Sequence, residues 1–370
     1  MKKILIIFGT RPEAIKMAPL IKKINESDHF SVKICVTAQH RGMLDTVLEL
    51  FEIETDYDLN LMSTGQTLTD ITVRVLQGLA EVLKREKPDM ILVHGDTTTT
   101  FSAALAAFYQ QIPVGHVEAG LRSGNMYSPY PEEMNRILTD GISNIHFAPT
   151  EGNRKSLLMS GVKDEQIFVT GNTVIDALYL AVKDDYRFEL PLLNELDYDN
   201  KKVILLTAHR RENWGDGLND IFLAVRKLVA NNPSTVLIFP VHMNPVVNEP
   251  ANELLGSTER IHLISPLGYA PFANLMARSY MVLTDSGGIQ EEAPALGKPV
   301  LVLRKETERP EAVAAGTVKI AGVEKKKIIE IGQELLENPA AYEKMAKAVN
   351  PYGDGKASVR ITEILKEKLI

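Results

Sequence analysis

Met90–Arg136, MILVHGDTTTTFSAALAAFYQQIPVGHVEAGLRSGNMYSPYPEEMNR, is the stretch whose reading decides the fold. It opens on a short apolar run, Met90–Val93, which is too short for a helix and lacks polar alternation. That is the signature of a strand buried on both faces. A helix-period segment follows, then a second short run, Val114–Val117. Strand, helix and strand at this spacing form a βαβ unit, whose strands pair in parallel. Three carboxylates, Asp96, Glu118 and Glu132, fall where a strand ends or a helix begins. In an open α/β sheet the carboxyl ends of the strands face the ligand crevice. Acids placed there meet a substrate more readily than acids on a helix flank.

The same rhythm runs outward in both directions. Ile4–Phe8 and Val32–Thr37 precede the stretch, and Ile145–Ala148 follows it. A second set comprises Val203–Thr207, Val236–Val241, Ile261–Ile264, Met281–Thr284 and Val300–Leu303. The repeated βαβ pattern predicts an α/β chain of two Rossmann-like, doubly wound lobes. Between the sets lies Lys183–Lys202, KDDYRFELPLLNELDYDNKK, charged and without long periodicity. It reads as a connection, and the lobe boundary falls between about 170 and about 200. Near the end, Asn350–Gly355, NPYGDG, breaks a helix. A last helix carrying Val359, Ile361, Ile364, Leu365 and Leu369 is placed to cross back to the first lobe.

Composition sets bounds. The 370 residues allow two to three domains with their own cores. A hydrophobic share of 45% and a charged share of 24% are those of a globular protein. The net charge of -7 argues against a general nucleic-acid or anionic-membrane binder. The single cysteine, Cys35, cannot form a disulfide within the chain and reads as a small buried hydrophobe. The apolar core of MKKILIIFGTRPE is too short for a signal peptide, and no apolar run is long enough to span a bilayer. The expectation is a cytoplasmic protein.

Two loops suit anions. In Gly9–Glu13, GTRPE, Thr10 and Glu13 fit a capping box and Pro12 suits the first turn. Arg11 and Lys16 are not explained by packing. They read either as cations at an anion-binding helix end or as solvated charges. Asp285–Gly288, DSGG, joins a buried strand to a helix, and its glycines let backbone N–H groups approach a phosphate. Glu292, one turn on, is placed to accept from a ribose diol. There is no GxGxxG, which argues against NAD or FAD, and no HExxH or CxxC. His209 and His242 follow strands, a place both structural and catalytic histidines occupy. His94 and His116 lie beside the acids. The DYD runs at Asp56–Asp58 and Asp197–Asp199 follow no convincing buried strand and are read as chance rather than metal sites.

FGTRPEAIKMAPL, TAQHR, HGDTTTT, HVEAGLR, YPEEMNR, TGNT, TAHRREN, PVHMNP, LTDSGGIQEEAP, TERPEA and NPYGDG occur in order over nearly the whole chain. Together they resemble the non-hydrolysing UDP-N-acetylglucosamine 2-epimerases. The resemblance implies a GT-B architecture with the active site in the interlobe cleft. Its parts would be an N-terminal lobe over 1–172, a C-terminal UDP-binding lobe over 173–352, and a returning helix over 353–370. It implies reversible conversion of UDP-GlcNAc to UDP-ManNAc by elimination of UDP to 2-acetamidoglucal and re-addition. No cofactor and no metal are expected. A cytoplasmic homodimer that supplies ManNAc for cell-surface polysaccharide is expected, with no nucleic-acid or membrane partner.

Carried over by motif, Asp96, Glu118, Glu132 and His209 are the catalytic candidates. Glu132 also suits helix capping. Arg11, Lys16, Phe272, Ser286, Gly287, Gly288, Glu292 and Arg309 match UDP-binding positions. Gln39, Gln66, Arg210, Glu212 and His242 match an activator site for a second UDP-GlcNAc. Gly42 and Gly65 depart from it, because longer polar side chains are usual there, and Leu267-Gly268-Tyr269 departs near the base. A GT-B glycosyltransferase, a non-catalytic UDP-sugar sensor and a hydrolysing epimerase are the competing readings.

Overall fold

The computed structural model describes residues 1–37, 41–61 and 65–370. The chain divides into two compact units, Met1–Tyr179 with Tyr352–Ile370, and Leu180–Pro351. The division falls within the helix Thr173–Ala181, a few residues past the 172/173 boundary read from the motifs.

The first unit holds β1 (Lys2–Phe8), β2 (Phe30–Val36), β3 (Tyr57–Asp58), β4 (Met90–His94), β5 (Val114–Val117), β6 (Ile145–Ala148) and β7 (Ile167–Val169). Among the described residues they form one parallel sheet in the order β3-β2-β1-β4-β5-β6-β7. The second unit holds β8 (Lys202–Thr207), β9 (Thr235–Pro240), β10 (Ile261–Ile264), β11 (Met281–Thr284), β12 (Val300–Val302) and β13 (Val318–Ile320). Its order is β10-β9-β8-β11-β12-β13, again parallel. Both are doubly wound sheets. The strand order reverses at β1/β4 in one and at β8/β11 in the other, and ligands bind outside the carboxyl ends at such switch points.

Burial follows from helices on both faces. Ile4 to Phe8 have no exposed surface. Alternate residues point to opposite faces, so Leu5 and Ile7 share one core with Ile91, Val93, Val75, Leu79 and Ala103. In the second unit Ile204, Leu206, Phe239, Leu283 and Leu301 pack with Phe222, Val225, Ile328 and Leu335.

Three strands are not evident from the sequence: β3, β7 and β13. Each is two or three residues long and borders its sheet. The first DYD run is part of this edge. Asp56 accepts from Ile34 N–H at 2.9 Å and from Lys33 Nζ at 2.6 Å, which seats β3 on β2. Asp197 of the second run accepts from Asn200 N–H at 3.1 Å, closing a turn.

Lys183–Lys202 belongs to the second unit and is tied down. Lys183 N–H donates to Asn274 Oδ1 at 2.8 Å, and Asn194 brackets the N–H and C=O of Phe188. Arg278 lies over the Phe188 ring and donates to Tyr186 O at 2.6 Å. At the C-terminus, the first turn of the helix Ala357–Leu369 gives its Ala357 and Ser358 N–H groups to Asp176 at 3.2 and 2.8 Å. Its Ile361 and Leu365 are buried, and Tyr352 O accepts from Asn172 N–H at 2.7 Å.

One buried acid shapes the first switch point. Glu13, 2% exposed, takes the N–H groups of Gly9 and Thr10 on Oε2 and the hydroxyls of Thr97 and Thr100 on Oε1. Burial raises its pKa, and the hydrogen bonds from Thr10, Thr97 and Gly9 oppose that rise. It thereby joins the loop after β1 to the loop after β4. Gly9 is required by close approach: a Cβ would stand 2.2 Å from Thr37 Oγ1 and 2.7 Å from Thr99 Oγ1.

Candidate active site

The carboxyl ends of β1, β4 and β5 carry a cluster of charge. Glu118 directly follows β5 with φ of 65°. Only glycine adopts that left-handed region freely; for Glu it costs on the order of 1 kcal/mol. Its carboxylate is ion-paired with Lys16 of the helix Arg11–Asn25 and accepts from Asn172 Nδ2 at 2.8 Å. His94 Nε2 stands 3.8 Å from the same oxygen. Neither ring nitrogen of His94 has a hydrogen-bond partner among the described residues. Arg11 is exposed on the first turn of the same helix as Lys16.

Asp96 sits in the turn after β4. Its Oδ2 receives Arg136 Nε at 3.0 Å and Nη2 at 2.6 Å. Arg136 lies on the helix Glu132–Ile142, four residues after Glu132, so the two share a face. Glu132 is the first residue of that helix. It caps nothing, since Pro131 holds the N-cap place and no side chain caps the helix end. Its Oε2 is buried with no hydrogen-bond partner among the described residues. Glu133 is the structural acid of the pair, accepting the N–H groups of Ser123 and Gly124 and Arg136 Nη1.

The second sheet builds a different site at β8/β11. Asp285, fully buried, takes the N–H groups of His209 and Arg210 on Oδ2 at 2.8 Å each and Asn213 Nδ2 at 3.2 Å. His209 Nδ1 approaches Asp285 Oδ1 to 3.2 Å without the alignment of a hydrogen bond. Its ring stacks on His242 at 5.6 Å. Burial lowers the pKa of His209, with His242 and Arg210 acting in the same direction and Asp285 opposing. Beyond Asp285, Arg210 Nη2 and Arg309 Nη2 each stand 3.9 Å from where a Cβ on Gly287 would lie. Two guanidinium groups thus converge on the SGG turn, with Ser286 and Gly288 on either side. Arg309 is ion-paired with the buried Glu291. Glu292 accepts from Tyr269 OH at 3.1 Å, and Phe272 is half-buried on the helix Tyr269–Arg278. Two guanidinium groups beside a glycine turn suit a diphosphate.

The family model described as UDP-N-acetylglucosamine 2-epimerase matches residues 22–366. The chain belongs to the UDP-N-acetylglucosamine 2-epimerase family. The Salmonella typhimurium UDP-N-acetylglucosamine 2-epimerase is 54% identical over 98% of each chain. The Neisseria meningitidis UDP-GlcNAc 2-epimerase, solved bound to UDP-GlcNAc, is 54% identical with a TM-score of 0.88, covering 99% of this chain and 100% of that one. The Methanocaldococcus jannaschii UDP-GlcNAc 2-epimerase, solved with UDP-GlcNAc and UDP, is 36% identical with a TM-score of 0.78, covering 99% of each. Its fold class is that of these two-lobed epimerases: α/β, with two doubly wound parallel sheets.

Among the residues the epimerase motifs assign to an activator, Gln39 lies outside the described residues. Gln66 donates to Leu61 O at 2.7 Å, and Glu212 receives Arg304 Nε at 2.6 Å. Gly42 and Gly65 have nothing within 4 Å of a Cβ. No group of three or more His, Cys, Asp or Glu able to hold a metal occurs among the described residues. Among the described residues, no helix is long and apolar enough to cross a membrane.

The motif reading of this epimerase passed over Arg136, Asn172 and Asp285 as site-forming groups. Arg136 was discoverable from its i+4 spacing to Glu132. Lys16, which the motifs match to a UDP-binding position, is also ion-paired with Glu118. His94 adds a measurable consequence. Burial pushes its pKa down to about 3 from 6.5, against the pull of Glu118. Between those values the unfolded chain binds a proton that the folded chain refuses, so stability falls as pH drops through the window. Chemical unfolding from pH 6.5 to 4 should show this, and His94→Gln should flatten the acid limb by up to one proton. An unchanged slope would mean that His94 is already charged in the folded state.

Proposed function

We propose that this protein inverts carbon 2 of the sugar in UDP-N-acetylglucosamine, interconverting it with UDP-N-acetylmannosamine. The observation that carries the reading is the triad of acids at the ends of β4 and β5 and the start of the next helix. Asp96 is fixed by Arg136, Glu118 by Lys16 and Asn172, and Glu132 presents a buried, unpartnered oxygen. A sugar C2–H is not acidified by a neighbouring carbonyl, so a carboxylate cannot simply remove it. Departure of UDP makes carbon 1 cation-like and acidifies that proton. The C1–O bond breaks with its electron pair leaving on the diphosphate, the proton passes to a carboxylate, and a C1=C2 double bond forms. Return of a proton to the opposite face, with re-addition of UDP, completes inversion. Two faces require more than one acid or base.

The second unit holds the leaving group. Arg309 and the Ser286-Gly287-Gly288 turn grip the diphosphate and offset its growing charge, joined by Arg210, which the motifs match to an activator site but which converges on the same turn. Glu292 takes the ribose, and Phe272 lies by the base. His209, which burial keeps toward neutrality, donates to the departing phosphate. On this reading the enzyme acts as a homodimer and supplies ManNAc for cell-surface polysaccharide.

Incubation of the purified protein with UDP-GlcNAc alone in D₂O, followed by NMR, tests the proposal. UDP-ManNAc carrying deuterium at carbon 2 is expected. Free ManNAc would instead show hydrolysis, and an unchanged spectrum at high substrate would remove the enzymatic reading. A transferase would need an added acceptor before any change.

A further inference from the structure

The turn that carries Asp96 is held in an unusual way. Three consecutive backbone carbonyls, of His94, Gly95 and Asp96, are each taken by a side chain from a different element. Thr100 Oγ1 donates to His94 O at 2.6 Å, His116 Nε2 meets Gly95 O at 2.7 Å, and Asn135 Nδ2 donates to Asp96 O at 2.9 Å. Gly95 itself has φ of 68°. The chain leaves β4 here, so no neighbouring strand is placed to take these carbonyls, and side chains replace the ladder.

His116, like Thr100, has no exposed surface. A carbonyl only accepts, so Nε2 carries its hydrogen toward Gly95. Nδ1 lies 2.6 Å from Asp140 Oδ1, and Asp140 Oδ2 receives Arg122 Nη2 at 2.7 Å. Burial would raise the Asp140 pKa, but His116 and Arg122 outweigh it and hold the carboxyl below its usual range. Asp140 lies on the helix that also carries Glu132, Asn135 and Arg136. That one helix therefore grips the Asp96 turn three times: through Arg136 on the carboxylate, Asn135 on the carbonyl, and Asp140 by way of His116.

We infer that His116, set by Asp140 and Arg122, is a positioning residue for Asp96, acting through the carbonyl of Gly95. This rests on the epimerase reading for its kinetic test. His116 does not touch the reacting atoms; it sets the backbone from which Asp96 projects. A misplacement of about 1 Å costs roughly 100-fold in rate when a reacting group is displaced.

Two substitutions separate this role from a packing role, because each keeps one nitrogen of the ring. In His116→Gln the amide stands near Nε2 and keeps the bond to Gly95. In His116→Asn it stands near Nδ1 and keeps Asp140 but abandons the carbonyl. The Gln variant should retain kcat to within about 3-fold, and the Asn variant should lose about 30-fold. KM and UDP affinity should change by no more than about 2-fold in either, since neither change touches Arg11 or the diphosphate-gripping groups of the second unit. Equal kcat for the two variants, or a loss that follows the melting temperature instead of the Gly95 contact, overturns the assignment. Should the Asn variant fail to fold, Asp140→Asn decides. It leaves His116 as the Nε2–H tautomer and should keep kcat within about 3-fold; a 30-fold loss overturns the inference. If the wild type itself does not epimerise, that failure belongs to the functional reading. Ring-nitrogen NMR of the wild type then tests the contact directly, and a His116 Nε2 lacking its proton at pH 7 refutes it.

Discussion

Asp96→Asn is expected to lower epimerisation by roughly 10²- to 10⁴-fold while UDP binds as before. The amide keeps the shape of the side chain, and its oxygen can still accept from Arg136. What it loses is the charge and the ability to hold a transferred proton. The wild-type carboxylate has both guanidinium contacts on Oδ2, from Nε at 3.0 Å and Nη2 at 2.6 Å. That fork fixes the direction in which Asp96 points. Arg210, Arg309 and the Ser286-Gly287-Gly288 turn, assigned to the diphosphate, belong to the other compact unit, and Arg11 is left intact. UDP affinity by calorimetry should therefore be unchanged, and the whole effect should appear in kcat. Turnover within tenfold of wild type would take Asp96 out of proton transfer and leave it a structural partner of Arg136.

How much of this was legible before the structure depends on the distance over which each signal is written. Ile4–Phe8 and Val203–Leu206 announce buried strands by composition alone, because a strand covered on both faces has no room for polar residues. Tyr57–Asp58, Ile167–Val169 and Val318–Ile320 give no such signal. They border their sheets, and their backbone bonds to one neighbour, not their side chains, make them strands. The acids were legible because Asp96, Glu118 and Glu132 lie in one stretch whose element boundaries are clear. Their partners were not. Lys16 reaches Glu118 across 102 positions and Asn172 across 54, and only the folded sheet brings them together.

The same limit explains Asp285. In sequence it is the first residue of a glycine turn. In the structure it anchors the loop after β8 by taking three donors on one oxygen, one of them from His209. Each sheet thus uses a buried carboxylate to join the two loops at its switch point, Glu13 in the first and Asp285 in the second. The visible acids of the first site stand on such a frame. A carboxylate with several N–H or O–H donors around it is a rigid brace, because each donor left without it would be a buried unsatisfied group costing about 1–3 kcal/mol.

Arg309 offers a sharper separation of bracing from binding. Arg309→Met should weaken UDP about 10- to 100-fold, the range for losing a charge-assisted contact to phosphate. It should also destabilise the second unit, by about 3–5 kcal/mol, because Glu291 is only 3% exposed and loses the cation beside it. The two losses have different causes, so a second substitution should part them. Glu291→Gln added to Arg309→Met removes the buried charge and should restore most of the stability. It cannot restore the second cation beside Gly287, so UDP affinity should stay low. Urea unfolding and UDP calorimetry on both variants measure the two effects independently. If affinity recovered with stability, Arg309 would act only by keeping the unit folded. Persistence of the affinity loss at restored stability would place the guanidinium on the diphosphate.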